Sequence, residues 1–390
     1  MKMNFPIEQF QSLRTPFYYY DTVLLKQTLD VVSSQLARHE GYRMHYAVKA
    51  NANPVLLRMI SAQGFGADCV SGGEVQTAIA HGFAPGKVVY AGVGKSDWEI
   101  NAALDAGIGC FNVESAAELH VIHDLARTKG VQAPVALRVN PDIGAHTHAN
   151  ITTGLAENKF GISLEQLEDV LRETLRLPNV SYKGLHFHIG SQITDMLDFQ
   201  ALCNRINALM DELDRHGLPV GDINVGGGLG VDYEHPDTSP MADFEAYFDV
   251  FRRHLSTRPG QTVHFELGRS IVAPCGSLVT RLLYVKEGTA KRFAIVDGSM
   301  TELIRPALYH AFHLPQNLSA DGSRPAVTYD VVGPVCESSD VFTKAFDLPE
   351  CRRGDFIAFR TAGAYGESMA SSYNARPLPQ SYFSADFLEK

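Results

Sequence analysis

Apolar positions along the chain gather into short runs that alternate with amphipathic segments. Eight such runs lie between residues 45 and 267: "HYAVKA", "GADCV", "VVYAGV", "GCFNV", "PVALRVN", "KGLHFHI", "DINVGG" and "VHFELG". Each run except the last leads toward a segment with helical signals, such as the capping boxes Ser96-x-x-Glu99, Ser115-x-x-Glu118 and Ser163-x-x-Gln166. The segment "DFQALCNRINALMDELDRHG" has apolar residues at helical spacing and stops at Gly217.

Eight strand–helix repeats with apolar strands predict a (β/α)8 TIM barrel, which we place at residues 23–270. An open, doubly wound sheet produces the same local alternation of strands and helices, so the pattern alone leaves that architecture as the alternative.

The pattern changes after residue 270. The runs "SLVTRLLYVKEG", "KRFAIVDG", "VTYDVVGPVC" and "GDFIAFRTAGAY" are rich in β-forming residues and are split by Gly and Asp turns. They predict a mostly antiparallel β-sandwich or barrel over residues 271–390. The segment "TPFYYYD" adds a strand from residues 1–22 to this second domain.

Composition narrows the possible partners. The 390 residues carry a net charge of −10, which does not favour nucleic acid or an anionic membrane surface. The first residues, "MKMNFPIEQF", have no apolar run of signal-peptide length, and no stretch approaches a membrane span. The six cysteines form no C-x-x-C pair, which argues against a zinc cage and a disulfide framework. We therefore expect a cytoplasmic protein without a bound metal.

In a barrel, the active site collects at the carboxyl ends of the strands, and the unusual residues of this chain lie there. They are Lys49 after the first run, His186, His188 and Ser191 at the sixth, Gly226, Gly227 and Gly228 at the seventh, and Glu266 and Arg269 at the eighth. Each has an ordinary structural explanation. The lysine could be a solvated strand end, the glycines a tight turn, and Glu266 with Arg269 an ion pair.

Together these residues fit one ligand. Three glycines let backbone N–H groups approach a phosphate closely, and barrels often hold phosphate with the loops after strands seven and eight. A lysine amine in a desolvated barrel mouth can form a Schiff base. A carboxylate such as Glu266 would keep a pyridine nitrogen protonated, and His188 could stack on the ring. The combination predicts pyridoxal 5′-phosphate (PLP).

Nine segments, some of which include the runs quoted above, resemble those of a known family. They are "YAVKANANP", "GADCVSGGE", "YAGVGKS", "NPDIGAHTHANITTGLAENKFGI", "HFHIGSQI", "NVGGGLGVDY", "RPALYHA", "GPVCESSD" and "GAYGESMASSYNARP". Over nearly its whole length the chain resembles the fold-type III PLP-dependent decarboxylases, and within them the branch that acts on diaminopimelate. One turn departs from the family, because this chain reads Glu-Leu-Gly-Arg at 266–269 where the family usually has Glu-Pro-Gly-Arg. The missing proline affects the rigidity of that turn.

The resemblance implies a role for each matching residue. Lys49 would carry the Schiff base, and Cys336 would enter the site from a second subunit. The implied cofactor-binding residues are Lys49, His188, Ser191, Gly227, Gly228, Glu266, Gly268, Arg269 and Tyr365. The implied substrate-binding residues are Arg269, Arg305, Tyr309, Glu337 and Tyr365. A homodimer with shared active sites follows from the same resemblance, with the β domain contributing to the substrate site and the interface.

The activity that the resemblance implies is decarboxylation of meso-2,6-diaminopimelate to L-lysine and CO₂ in lysine biosynthesis. An arginine for the distal carboxylate and an acid for the distal ammonium suit that substrate. Alternatives are a decarboxylase for arginine, ornithine or carboxynorspermidine, a racemase, or a regulatory protein that has lost its site. A metal-dependent barrel hydrolase is a further alternative, because His186 and His188 lie on one face of a strand.

Overall fold

The computed structural model describes residues 3–143 and 159–387. Most of the motif that begins at Asn140, residues 144–158, lies outside the described residues. By compactness the chain divides into two units. The barrel unit consists of Leu29–Gly230 and Asp243–Gly268, and the β unit takes in residues up to Thr28, Val231–Ala242 and the described chain from Arg269 onward.

Eight parallel strands close into a barrel in chain order. They are β2 (Tyr42–Ala47), β3 (Gly66–Cys69), β4 (Val88–Tyr90), β5 (Cys110–Val113), β6 (Ala133–Arg138), β7 (Val180–His186), β8 (Asp222–Asn224) and β9 (Val263–Leu267). The first and last of these strands pair with each other, from Tyr42 opposite Val263 to Tyr46 opposite Leu267. This closure confirms the predicted (β/α)8 barrel and excludes the open sheet.

One helix precedes the first barrel strand, and seven described helices connect successive strands along the chain. They are α2 (Thr22–Ala37), α3 (Pro54–Ser61), α4 (Gly72–Ala80), α5 (Asp97–Ala106), α6 (Ala116–Lys129), α7 (Leu164–Thr174), α8 (Met196–Arg215) and α9 (Phe244–His254). Ser96 and Glu99 form the complete capping box at α5, and Ser115 accepts the Glu118 backbone N–H at α6. Ser163 precedes α7 but makes no capping hydrogen bond with its side chain.

Aromatic side chains clamp the outer face of β9, the strand that carries Glu266. The Phe265 ring centroid lies 4.9 Å from those of Tyr42 and Phe248 and 5.2 Å from that of Phe251. Successive residues of a strand point to opposite faces, so packing Phe265 outward turns its neighbour Glu266 into the barrel. Burial of one such phenylalanine contributes about 1.5–3 kcal/mol.

The β unit contains one eight-stranded sheet. Its strands are β1 (Phe17–Tyr20), β10 (Gly276–Glu287), β11 (Arg292–Val296), β12 (Pro315–Asn317), β13 (Ala326–Val332), β14 (Val341–Pro349), β15 (Phe356–Phe359) and β16 (Gln380–Phe383). The main order is β12-β15-β10-β11-β13-β14, and β1 pairs with β10 and β16. Among the strands that the structure describes in this sheet, only the β1–β16 and β11–β13 pairs are parallel, which confirms the mostly antiparallel prediction. The short helices of the unit are α1 (Ile7–Phe10), α10 (Arg269–Val272) and α11 (Arg305–Tyr309).

The predicted division between residues 270 and 271 lies close to the start of the β unit at Arg269, but Val231–Ala242 groups with the β unit rather than with the barrel. The role of the β domain in the substrate site and the dimer interface stays a prediction. No helix in the two described stretches is both long and apolar enough to span a bilayer.

Two histidines meet inside the barrel unit. His45 Nε2 lies 2.9 Å from His264 Nδ1, and His45 Nδ1 lies 3.0 Å from the Lys87 carbonyl oxygen. Both imidazoles line a cavity of about 120 Å³. The His45 ring packs tightly against Gly66, because a Cβ at Gly66 would lie 2.3 Å from His45 Nδ1. Burial, with a smaller effect of His264, lowers the pKa of His45 from 6.5 to about 4.

This histidine makes folding stability depend on pH. Between about pH 6.5 and pH 4 the unfolded chain binds a proton at His45 that the folded chain does not, so stability falls as the pH falls through that window. We expect His45→Gln to remove about 2–3 kcal/mol of this pH dependence. Urea unfolding at pH 7 and pH 4.5 measures it, with the exposed His120→Gln as control. An equal pH dependence in wild type and His45→Gln would contradict the assignment.

Candidate active site

Glu266 is bonded by three side chains inside the barrel. Its Oε1 accepts hydrogen bonds from Asn224 Nδ2 at 2.7 Å and Asn112 Nδ2 at 3.2 Å. Its Oε2 lies 2.9 Å from His186 Nε2. Register aligns these groups, since His186 pairs with Asn224 across β7 and β8, and Asn224 pairs with His264, two residues before Glu266.

The surroundings of Glu266 decide its charge. Burial by itself raises the pKa of this carboxyl, but His186, Lys49 and the Asn224 amide together lower it below its ordinary value. Glu266 is therefore a carboxylate although it is buried. A buried, ionised acid with fixed orientation is the group that a protonated ring nitrogen needs.

Lys49 follows β2 in a short 3-10 turn, Val48–Ala50. Its Nζ lies 3.5 Å from Asp68 Oδ2 on β3, and the side chains are 39% and 2% exposed. Burial and the Glu266 charge raise the pKa of Asp68 to about 8. The amine thus stands beside an acid that resists ionisation. Sequence reasoning missed Asp68, although a charged residue in the buried run "GADCV" was the available signal.

His188 lies next to the glycine loop. Gly227 N–H donates to its Nδ1 at 3.4 Å, which leaves this nitrogen as an acceptor. Burial and the charges of Arg138 and Lys49 lower the pKa of His188 well below 6.5, so the imidazole is neutral. A neutral, partly buried ring can present its face to a flat ligand.

The glycines of the predicted site leave no room for side chains. A Cβ at Gly227 would lie 1.9 Å from the Glu266 carbonyl oxygen, and one at Gly268 would lie 2.9 Å from Ala47 Cβ. Gly226 and Gly228 have φ values of +69° and +107°, which favour glycine. Ser191 is half-buried between β7 and α8. In this structure the Gly226 and Gly227 N–H groups donate to Asn224 Oδ1 and His188 Nδ1. A glycine loop of this kind is compatible with a phosphate site, since its backbone N–H groups can approach an oxyanion closely.

In the β unit, two buried arginines share one tyrosine. Arg269 Nη1 donates to the Tyr233 hydroxyl at 2.7 Å, and the Arg305 guanidinium lies 5.0 Å from the Tyr233 ring centroid. Arg269 also lies 4.8 Å from the centroid of Tyr365. Arg305 Nη1 lies 2.8 Å from His313 Nε2. Burial and the Arg305 charge lower the pKa of His313 well below 6.5, so this partner is neutral.

This arrangement can bind an anion, because aromatic rings and a neutral imidazole orient the guanidinium groups. The structure brings together the predicted residues Arg269, Arg305 and Tyr365, and Tyr309 ends the short helix that begins at Arg305. Tyr233 and His313 were missed by sequence reasoning. Tyr233 lies 36 positions before Arg269, and His313 lies 8 positions after Arg305, beyond the end of the short helix, so no helical or strand period reveals either contact.

Cys336 and Glu337 lie on an exposed loop between β13 and β14. The Tyr373 hydroxyl donates to Glu337 Oε1 at 2.6 Å, and Cys336 N–H donates to Asn374 Oδ1 at 3.3 Å. Among the residues described, the side chain of Glu337 makes its hydrogen bond to Tyr373 and none to the arginines. The structure therefore holds this loop in place but does not join it to the two arginines.

The pair His186 and His188 has no metal-like setting. Within residues 3–143 and 159–387 no three His, Cys, Asp or Glu side chains are grouped to hold a metal ion. His186 instead bonds to Glu266, and His188 accepts from Gly227.

The chain shows clear similarity to known proteins. Residues 25–273 match the family model described as "Pyridoxal-dependent decarboxylase, pyridoxal binding domain". The chain is 57% identical over 388 residues to the diaminopimelate decarboxylase of Bacteroides thetaiotaomicron, with 100% of both chains covered. The chain belongs to the diaminopimelate decarboxylase family. It is also 41% identical over 372 residues to the Helicobacter pylori enzyme, covering 95% of this chain and 90% of that one.

The fold agrees with this membership. A crystal structure of Helicobacter pylori diaminopimelate decarboxylase complexed with L-lysine superimposes with a TM-score of 0.91 at 39% identity, covering 97% of this chain and 94% of the other. The resemblance seen in the sequence is thus confirmed, and the protein is a PLP-dependent amino-acid decarboxylase. The glycine loop at 226–228, the ionised Glu266 and the Lys49 amine are compatible with such a cofactor.

Proposed function

We propose that the protein removes CO₂ from meso-2,6-diaminopimelate to form L-lysine, with PLP as cofactor. The observation that carries the proposal is the ionised Glu266, buried at the end of a barrel strand and held by three donors in the barrel unit that also holds Lys49. The full-length identity of 57% to a diaminopimelate decarboxylase supports the same substrate.

Residues of the barrel unit would hold the cofactor. Lys49 Nζ would bind its aldehyde, Ser191, Gly227 and Gly228 would bind its phosphate, and His188 would cover its ring. Glu266 would bond the ring nitrogen and keep it protonated. When bound, PLP supplies a protonated ring that accepts the electron pair of the breaking Cα–carboxylate bond.

The arginines of the β unit would select the substrate. The distal end of diaminopimelate carries a carboxylate, which Arg269 and Arg305 can bind by charge-assisted hydrogen bonds, with Tyr309 and Tyr365 beside them. Its distal ammonium needs an acid, and Glu337 would supply it. Ornithine has no distal carboxylate, so it would leave two buried guanidinium groups without an anion. That cost disfavours ornithine as a substrate.

We further propose a homodimer in which the Cys336–Glu337 loop of one subunit completes the site of the other. The support is the exposure of this loop together with its fixation by Tyr373 and Asn374. The proton that returns to the substrate Cα would come from Cys336 Sγ or Lys49 Nζ. We place the dimer in the cytoplasm, in keeping with six free cysteines.

Lys49→Ala should abolish decarboxylation while the protein stays folded, because no other amine would hold the cofactor aldehyde. The assay measures CO₂ and lysine produced from meso-diaminopimelate, and separately CO₂ produced from ornithine and from arginine. The exposed Lys183→Ala is the control. Borohydride reduction of wild type with PLP, followed by peptide mapping, should label Lys49. A label on another lysine would refute the assignment, and turnover of ornithine in preference to diaminopimelate would refute the substrate.

Arg305→Ala should keep PLP bound but raise KM for diaminopimelate, since one charge-assisted contact is lost. We expect a cost of about 1.5–3 kcal/mol in kcat/KM and weaker discrimination against lysine-like monocarboxylates. Steady-state kinetics measure the effect, and the exposed Arg292→Ala should leave KM unchanged. An unaltered KM in Arg305→Ala would rule out the substrate clamp.

Lys49→Ala and Cys336→Ala should complement each other if the site is shared between subunits. Each homodimer would be nearly inactive, but random mixing makes half of the dimers mixed, and one site of two in each is intact. Activity should return to about a quarter of wild type, as counting in a two-fold dimer requires. Failure of the mixture to regain activity, with subunit exchange shown by mass spectrometry, would exclude a shared site.

A further inference from the structure

His186 has no part in the function proposed above, yet it makes a buried contact with the central acid. Its side chain is 2% exposed and that of Glu266 is 5% exposed, with His186 Nε2 2.9 Å from Glu266 Oε2. A histidine at this place could be simple core packing. The hydrogen-bond arrangement around it indicates a more specific role.

The proton of this hydrogen bond lies on His186 Nε2. An ionised carboxylate only accepts, so the imidazole must donate. The other ring nitrogen, Nδ1, is buried and has no hydrogen-bond partner among the residues that the structure describes. Nothing therefore competes with Glu266 for the imidazole proton, and the partner of one ring nitrogen fixes the tautomer.

The other groups that face Glu266 do not replace this donor. Asn112 and Asn224 bond to Oε1, so Oε2 depends on His186. The ionisable groups that interact with the carboxylate from the other described elements are Lys49, Asp68, His45, His188, Cys110 and Tyr247. Burial opposes the Glu266 charge, and ionisation of Asp68 would oppose it as well. Without His186 the balance moves toward the neutral carboxylic acid.

We propose that His186 is a positioning residue that keeps Glu266 ionised and oriented for the cofactor ring nitrogen. A neutral carboxylic acid at this place would not hold that nitrogen protonated, so the hydrogen bond from β7 supports the chemistry through Glu266. This inference rests on the proposed function, because it assigns the ring nitrogen to Glu266. It adds a residue on which the charge of that acid depends.

Two substitutions separate this role from packing. His186→Leu removes the donor, whereas His186→Gln keeps an N–H near the position of Nε2. The control is His123→Leu, which changes a half-buried histidine on α6 that is not a hydrogen-bond partner of Glu266. Each variant is made in the wild-type and in the Glu266→Gln background.

The first readout is PLP binding and the pH profile of kcat. His186→Leu should weaken the Kd for PLP by about 10- to 100-fold, the size of one hydrogen bond lost to a charged group. The acid limb of kcat should move to higher pH by about one unit or more, since activity needs Glu266 ionised and its pKa rises. His186→Gln should recover most of both effects, and neither should appear in the Glu266→Gln background.

The second readout uses the protein without PLP. In wild type the lowered pKa of Glu266 makes stability fall as the pH drops below about 4.5. In His186→Leu the folded-state pKa of Glu266 is higher, so the protein gains less stability from ionisation of this acid as the pH rises. Thermal unfolding between pH 4 and pH 7 should therefore show a deficit of His186→Leu that grows with pH and vanishes with Glu266→Gln.

Equal losses in His186→Leu and His186→Gln, unchanged by Glu266→Gln, would overturn the proposal in favour of packing. A wild-type Kd and acid limb in His186→Leu would overturn it as well. If His186→Leu does not fold, His186→Gln decides between the two roles. The proposal requires that His186→Gln binds PLP with a Kd within about 3-fold of wild type and that the acid limb of its kcat profile is not shifted. Failure of wild type to bind PLP would instead reject the proposed function, and unfolding without PLP would still test the effect of His186 on Glu266.

Discussion

An ionised carboxylate inside a closed barrel is the constraint on which the site depends. Removing Glu266 from water costs several kcal/mol unless its lone pairs are satisfied. Two asparagine amides and one imidazole satisfy them, and they come from β5, β7 and β8. These three strands and β9 belong to one closed barrel, so the fold and the charge of this acid are specified together.

The barrel could be predicted because its signals are local. Hydrophobic period, capping boxes and turn residues reveal eight apolar strands separated by helices. The structure was needed only to show that these strands close into a barrel. Lys49, Glu266 and the glycines at 226–228 could be singled out for a related reason. A charged residue or a run of glycines at the end of an apolar strand departs from its surroundings, and barrel geometry says where such ends meet.

The rest of the site was hidden by the same apolar pattern. Asn112, Asn224 and Asp68 lie within strands, where one polar residue reveals no partner until the register is known. His186 drew a metal hypothesis because spacing alone does not distinguish a ligand from a hydrogen-bond donor. Tyr233 belongs to a loop of the barrel sequence that groups with the β unit, and its contact with Arg269 joins residues 36 positions apart. Such contacts arise from tertiary packing, and no single-sequence signal specifies them.

The crowded glycines also bear on how such a chain can diverge. At Gly184, Gly227 and Gly363 an added methyl group would lie about 2 Å from a backbone oxygen, so the smallest mutational step is already blocked. By contrast, nothing lies within 4 Å of a methyl group built at Gly86 or Gly94. Random mutagenesis would therefore accumulate changes at the open turns and leave the crowded positions fixed. Laboratory evolution of a new substrate range would have to substitute other residues. The three crowded glycines, and the close backbone contacts that they allow, would stay unchanged.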